Sequence, residues 1–267
     1  MFADTLRYSN VVIAGVAVAF TSGTYALLGL PVSVPVLVLA GCATFTVYQL
    51  DRQLGYSSED QLNASERLDW MRRHRWWSGV GGVGALAGMG WSMVHLQPRT
   101  LLLCILLAVI AISQLFPVLP GGRRLKDLGW TKPIVLAGTW AAGAVLVPVV
   151  EAGMALSLTV WLFLGYRFAF AFPNALIADW PDRAGDRSAG LSTWALQLGE
   201  RRLVWISRSV LTVALVGALV AGVSDARWWL DAGGYLLMLL LIRRPIPESR
   251  WYVFTLDLLL AWPVVLW

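Results

Sequence analysis

The stretch DWPDRAGDRSAG, residues 179 to 190, carries three carboxylates, Asp179, Asp182 and Asp186, directly after the apolar run VWLFLGYRFAFAFPNALIA. Spaced i, i+3 and i+7, the three share one face if the preceding helix runs on through them. Pro181 stands against an unbroken helix, whereas a break followed by a new first turn accommodates it. Neighbouring carboxylates about 6 Å apart repel by roughly 3 kcal/mol at an effective dielectric near 20, so the cluster needs cations. Two readings meet that need. In one, Arg183 and Arg187 neutralise the acids as a solvated loop. In the other, the acids hold a hard divalent ion such as Mg2+, which binds through one or two carboxylates, keeps several waters and bridges to phosphate oxygens. A diphosphate held that way leaves more readily, because the metal stabilises charge developing on its oxygens.

The elements that must position these acids are membrane helices. The chain of 267 residues is 58% hydrophobic and 14% charged, and apolar runs follow one another from end to end, more than a soluble core of this size requires. Length and hydropathy place spans at about 10 to 30, 34 to 50, 76 to 96, 100 to 117, 133 to 150, 156 to 177, 203 to 223, 228 to 242 and 251 to 267. Nine spans leave the termini on opposite sides, and 17 of the 21 Lys and Arg then gather on one of them. That bias predicts a cytoplasmic N-terminus. It also accounts for the net charge of +5, which in a soluble protein would point to nucleic acid. The long loops follow spans two, four and six on the basic side, so chemistry is expected there. The first apolar run lacks a basic leader and a small-residue cleavage site and reads as a retained span. Cys42 and Cys104 lie within apolar runs as small hydrophobes, with neither a disulfide framework nor a metal spacing.

The segment NALIADWPDRAGDRSAGLSTWALQLG closely resembles the second aspartate motif of the UbiA superfamily of intramembrane prenyltransferases, D-x-x-D-x-x-x-D followed by Gly and a Thr-containing stretch ending in Leu-Gly. Asp179, Asp182 and Asp186 match the acids, Gly190 and Thr193 the following positions, Leu198 and Gly199 the end. The superfamily's first motif, N-D-x-x-D-x-x-x-D, is depleted: VYQLDRQLG puts Val47 and Tyr48 where Asn and Asp are expected, keeps Asp51 with Arg52 beside it, and puts Gly55 at the last acid. Glu59 and Asp60 follow, either as substitute acids or as loop charges. GGRRLKDLGWTKP resembles the basic segment that members hold over the diphosphate.

The resemblance implies one all-α domain over residues 1–267, a UbiA-like bundle of nine transmembrane helices in a bacterial-type inner membrane with its active side cytoplasmic. It implies Mg2+ held by Asp51, Asp179, Asp182 and Asp186, of which Asp51, Asp182 and Asp186 would be catalytic. Arg52, Arg123, Arg124, Lys126, Lys132, Asn174 and Arg187 would bind substrate. The expected partners are a prenyl diphosphate, a lipophilic and aromatic acceptor, and membrane lipid, with no nucleic acid. The reaction implied is transfer of the prenyl group to that acceptor. Two alternatives stay open: a terpene cyclase of the same fold, in which the ionised donor captures itself, and a silent isoprenoid- or pigment-binding subunit, for which the depleted first motif argues.

Three further residues stand out. Arg167 and Asp257 are ionisable side chains inside spans, costly in lipid, and are either functional or paired with a neighbouring helix. Asn174, five residues before Asp179, has an acceptor either in the site or on another helix. The glycines of SGVGGVGALAGMG are expected to let helices approach closely, and His74 to belong to an interfacial belt with Trp76 and Trp77.

Overall fold

A computed structural model describes residues 5, 8–54, 65–116, 124–188, 190 and 192–267. Among these the regular structure is helical throughout: α1 Val11–Leu28, α2 Val34–Leu54, α3 Ser65–Arg73, α4 Arg75–Met93, α5 Pro98–Ser113, a 3-10 turn Leu125–Leu128, α6 Thr131–Glu151, α7 Leu158–Ala178, α8 Arg183–Ser188, α9 Trp194–Ala221, α10 Arg227–Leu241, α11 Arg250–Leu259 and a 3-10 turn Trp262–Leu266. A helix lies over each of the nine apolar runs. Five, α1, α2, α6, α7 and α9, are long and apolar enough to cross a membrane. Large apolar side chains such as Val80, Leu102, Val109, Val213 and Val220 stand exposed on α4, α5 and α9. A water-facing surface would not carry so many, and the chain is an integral membrane protein.

Two boundaries differ from the hydropathy reading by more than four residues. The last run is not one helix: α11 stops at Leu259, and Pro263, which lacks an N–H and crowds the preceding turn, leaves only a 3-10 turn beyond it. The seventh begins earlier, at Trp194, but breaks at Gly199, whose φ of 69° and ψ of 170° admit little except glycine.

Helix α6 packs along α7, α7 along α9, and α9 along α10, while α1 lies against α2, α6 and the C-terminal turn. The main core runs from Phe20 through Phe170, Leu176, Leu203, Leu211 and Tyr235 to Leu256. Buried Thr24 donates to the Ala144 carbonyl at 2.7 Å, fastening α1 to α6 without leaving a hydroxyl unpaired. Of the α4 glycines, Gly81 and Gly88 give the close approach: a Cβ there would come within 2.8 Å of Phe45 and 2.6 Å of Cys42 on α2. Gly79, Gly82, Gly84 and Gly90 face open space.

Candidate active site

The acids lie where α7 gives out. The helix ends at Ala178, residues 179 to 182 turn about Pro181, and α8 restarts at Arg183, with the Asp186 N–H bonded to the Asp182 carbonyl at 3.0 Å. The chain thus breaks and begins a new first turn. Asp179 and Asp186 become buried at 3% and 2% exposure, while Asp182 keeps 31% of its side chain exposed.

Two compensating cations come from other helices. Lys132, in the first turn of α6, donates to Asp179 Oδ1 at 2.5 Å, and the fields of Asp186 and Asp182 also reach its ammonium. Arg250, opening α11, donates to Asp182 Oδ1 at 2.6 Å. Arg183 turns aside instead, its guanidinium 4.2 Å over the Trp180 ring and paired with Glu248. Arg187 is exposed. Asp179 Oδ2 is buried and accepts no hydrogen bond from the described residues, an orphaned acceptor of the sort a bound cation or donor satisfies.

The segment before α6 closes over this turn. Gly129 adopts φ +64°, and a Cβ on it would fall 1.4 Å from the Ser192 carbonyl oxygen, so the two loops meet backbone to backbone. Trp194 Nε1 donates to the Trp130 carbonyl at 2.8 Å and Thr131 Oγ1 to the Leu125 carbonyl at 2.6 Å. Arg124 is half-buried at the start of this segment. Arg123 lies outside the described residues, as does the side chain of Lys126.

On the other side of the bundle α2 ends with Tyr48, Asp51 and Arg52. Arg52 donates to the Tyr8 carbonyl, and Asn10 Nδ2 to Gln49 Oε1 at 2.9 Å. Tyr48 lies in the fields of Asp257 and Asp51. Asp257, on α11, accepts from Asn174 Nδ2 at 3.1 Å. Asn174 therefore makes an interhelical hydrogen bond from α7 to α11, whose Asp257 lines the same small cavity as Tyr48 and Arg52 of α2. Gly55, Glu59 and Asp60 lie outside the described residues. Among those described, no three His, Cys, Asp or Glu side chains close round one point.

Arg167 pairs with Asp231, an acid not singled out in the sequence. Its Nη1 lies 3.1 and 3.0 Å from the two carboxylate oxygens, and Tyr166 donates to the same carboxylate at 2.6 Å. Both charged side chains are 0% exposed. The signal available beforehand was the rule that an ionisable residue in one span wants a counter-charge in another.

Comparison with known proteins agrees with this architecture. A UbiA homolog from Archaeoglobus fulgidus, solved bound to GPP and Mg2+, superposes with a TM-score of 0.67 over 98% of this chain and 97% of its own, at 13% identity. A UbiA homolog from Aeropyrum pernix K1 gives 0.59 over 96% of each chain, at 19% identity. Glycinol 4-dimethylallyltransferase of Glycine max is 34% identical over 70 residues, a stretch covering 25% of this chain and 17% of that relative's length. The model of the UbiA prenyltransferase family matches residues 69–259, from α3 to the last residue of α11. With that match running through both α6 and the acidic turn, the chain belongs to the UbiA prenyltransferase family.

Proposed function

We propose that this chain is a Mg2+-dependent intramembrane prenyltransferase that moves a prenyl group from a prenyl diphosphate to a lipophilic acceptor, working from the cytoplasmic rim of nine spans with its N-terminus on that side. The observation that carries the reading is the acidic turn itself. Lys132 lies in the field of all three carboxylates and Arg250 pairs with one of them, yet Asp179 Oδ2 is left without a partner among the described residues. A cluster of that composition fits Mg2+, which takes one or two carboxylates and fills its other positions with water and phosphate oxygens. The family match supports the reaction class, and the Archaeoglobus fulgidus homolog that shares the fold was solved with GPP and Mg2+.

Asp179, Asp182 and Asp186, with Asp51 from the α2 end, are the residues that would hold the ion, and its charge would stabilise the departing diphosphate. Lys132 offsets the mutual repulsion of the acids; of its three ammonium donors, one goes to Asp179, which leaves others for a phosphate oxygen. Arg52, Arg124 and Arg187, with Arg123 and the Lys126 side chain outside the described residues, are the candidates for further charge-assisted hydrogen bonds to the diphosphate, and Asn174 donates to the Asp257 carboxylate. The apolar walls of α1, α6 and α7 keep water from the allylic cation once the carbon–oxygen bond breaks.

The test is purified protein given radiolabelled geranyl diphosphate, Mg2+ and aromatic acceptors. Acceptor-dependent release of diphosphate is expected from the unaltered chain. Asp182→Ala should lose it by 100-fold or more, about the cost of removing one preorganised electrostatic group, while keeping its thermal unfolding midpoint. Full turnover in that variant would remove the acids from the reaction. Release without any acceptor would indicate cyclisation instead, and none under any condition a silent binder.

A further inference from the structure

The outer side of α9 carries a column of polar residues. Arg201, Trp205, Arg208, Ser209 and Thr212, spaced i, i+4, i+7, i+8 and i+11, share one face and, with Val213, line an open groove of about 510 Å³. All stand after the break at Gly199, on one stretch of helix. The span expected over 203 to 223 begins at the end nearest the acidic turn, so Arg208 lies about 7.5 Å inside it, at 1.5 Å per residue.

An arginine within a span ordinarily faces the interior and meets an acid, as Arg167 meets Asp231. Arg208 does neither. It is exposed, and no acid among the described residues pairs with it or with Arg201. Glu200, the one acid of α9, is taken up by the Ile246 N–H and by Arg244. The Trp205 indole N–H and the Ser209 and Thr212 hydroxyls make no hydrogen bond among the described residues either, and Trp205 is 69% exposed. Further along, the same face turns apolar, with Val213, Val216 and Val220 exposed in succession. Cations and donors at the rim above a bare apolar strip are the complement of an anionic amphiphile standing along the helix.

We infer that this face of α9 holds one anionic phospholipid of the surrounding bilayer, its phosphate gripped between Arg201 and Arg208 and an acyl chain laid along Val213, Val216 and Val220. The two arginine Cα atoms are about 10.5 Å apart along the axis, at 1.5 Å per residue. Helical Cα–Cβ bonds tilt toward the N-terminus, which on α9 is the rim, so the Arg208 stem carries its charge back toward the headgroup layer. A phosphate between the two guanidinium forks can take paired N–H···O bonds from each, and Ser209 lies on the same face to add its hydroxyl. Trp205, between the arginines, stands at the depth where amphipathic rings settle. A zwitterionic lipid offers the same phosphate but brings a cation of its own against the arginines. The site therefore selects net negative charge, and it does so whatever reaction the acidic turn performs.

The experiment is native mass spectrometry of the full chain in detergent, given equal amounts of phosphatidylglycerol and phosphatidylcholine with the same acyl chains. A basic side chain beside an anionic headgroup is worth about fivefold in binding, so one phosphatidylglycerol should be retained over phosphatidylcholine by about 25-fold. Arg208→Gln and Arg201→Gln should each lower that preference by about fivefold, and the double variant should abolish it. Arg183→Gln, which removes the same charge elsewhere on the rim, should leave it unchanged. Because Arg201 sits at the water's edge, Arg201→Gln carries the test alone should Arg208→Gln fail to fold. Equal retention of the two lipids would overturn the inference, as would a preference that survives the double variant. Geranyl diphosphate bound in place of the phospholipid without Mg2+, and lost in Arg208→Gln, would overturn it by making the groove a donor site. A dimer that dissociates in Arg208→Gln would overturn it by giving the face to a second copy of the chain.

Discussion

Two acid–cation groups in this molecule use the same chemistry to different ends. In the middle of the bundle Arg167 and Asp231 are sealed from solvent, the carboxylate engaged by Arg167 through both oxygens and by the Tyr166 hydroxyl, the guanidinium within 5.1 to 5.5 Å of the Phe163, Phe20 and Tyr166 ring centres. At the rim, Arg250 and Asp182 keep 35% and 31% of their side chains exposed, and one oxygen of Asp179 has no partner among the described residues. The contrast separates architecture from reactivity. A carboxylate whose oxygens are all engaged, sheathed by aromatic rings, has nothing left to offer a ligand. A carboxylate with an unmet acceptor beside half-exposed partners has bonding capacity that only an incoming group can use.

One substitution made in both places tests this. Asp231→Asn is expected to cost about 3–5 kcal/mol of stability, because it strands the Arg167 charge in the core, and should appear as a large fall in thermal unfolding midpoint. Asp179→Asn should hold its midpoint, since an amide oxygen still accepts from Lys132, yet lose about 100-fold in turnover. If the two variants exchange these signatures, the assignment of the centre to architecture and the rim to chemistry is wrong.

A smaller effect sharpens the rim. Gly129→Ala forces a left-handed backbone at about 1–2 kcal/mol and pushes a methyl into the Ser192 carbonyl, so a lower midpoint and slower turnover should appear together. Smallest of all is Arg183→Gln. Its pair with Glu248 is exposed, and the loss should stay below about 1 kcal/mol with turnover intact, showing that rim charge as such is not what matters.

What the sequence disclosed and what it hid follow from range. The break at Pro181 and a new first turn after it were readable because proline's constraint acts within a turn or two. The apolar runs foretold where the helices lie, because burial in lipid is set residue by residue. The partners of the acids were not readable. Arg183 and Arg187 directly follow Asp182 and Asp186 in the chain, yet Lys132 and Arg250 arrive from helices 47 and 68 residues away from the acids they meet. Asp231 went unnoticed for a related reason: standing four residues into α10 after a pair of tryptophans, it looks like a charge at a span end until Arg167 is seen opposite it. The end of the last run failed differently, since mean hydropathy passes over Pro263 while the backbone does not.

The seam at Gly129 reaches beyond this one chain. Because its Cα rests on the Ser192 carbonyl and Trp194 is tied to Trp130, the strip at Gly129 and Trp130 and the strip at Ser192 and Trp194 form two halves of one cap. Anyone grafting the aspartate segment onto a sister scaffold must transplant the facing strip as well, for a donor loop moved alone would meet a surface with no gap to receive it.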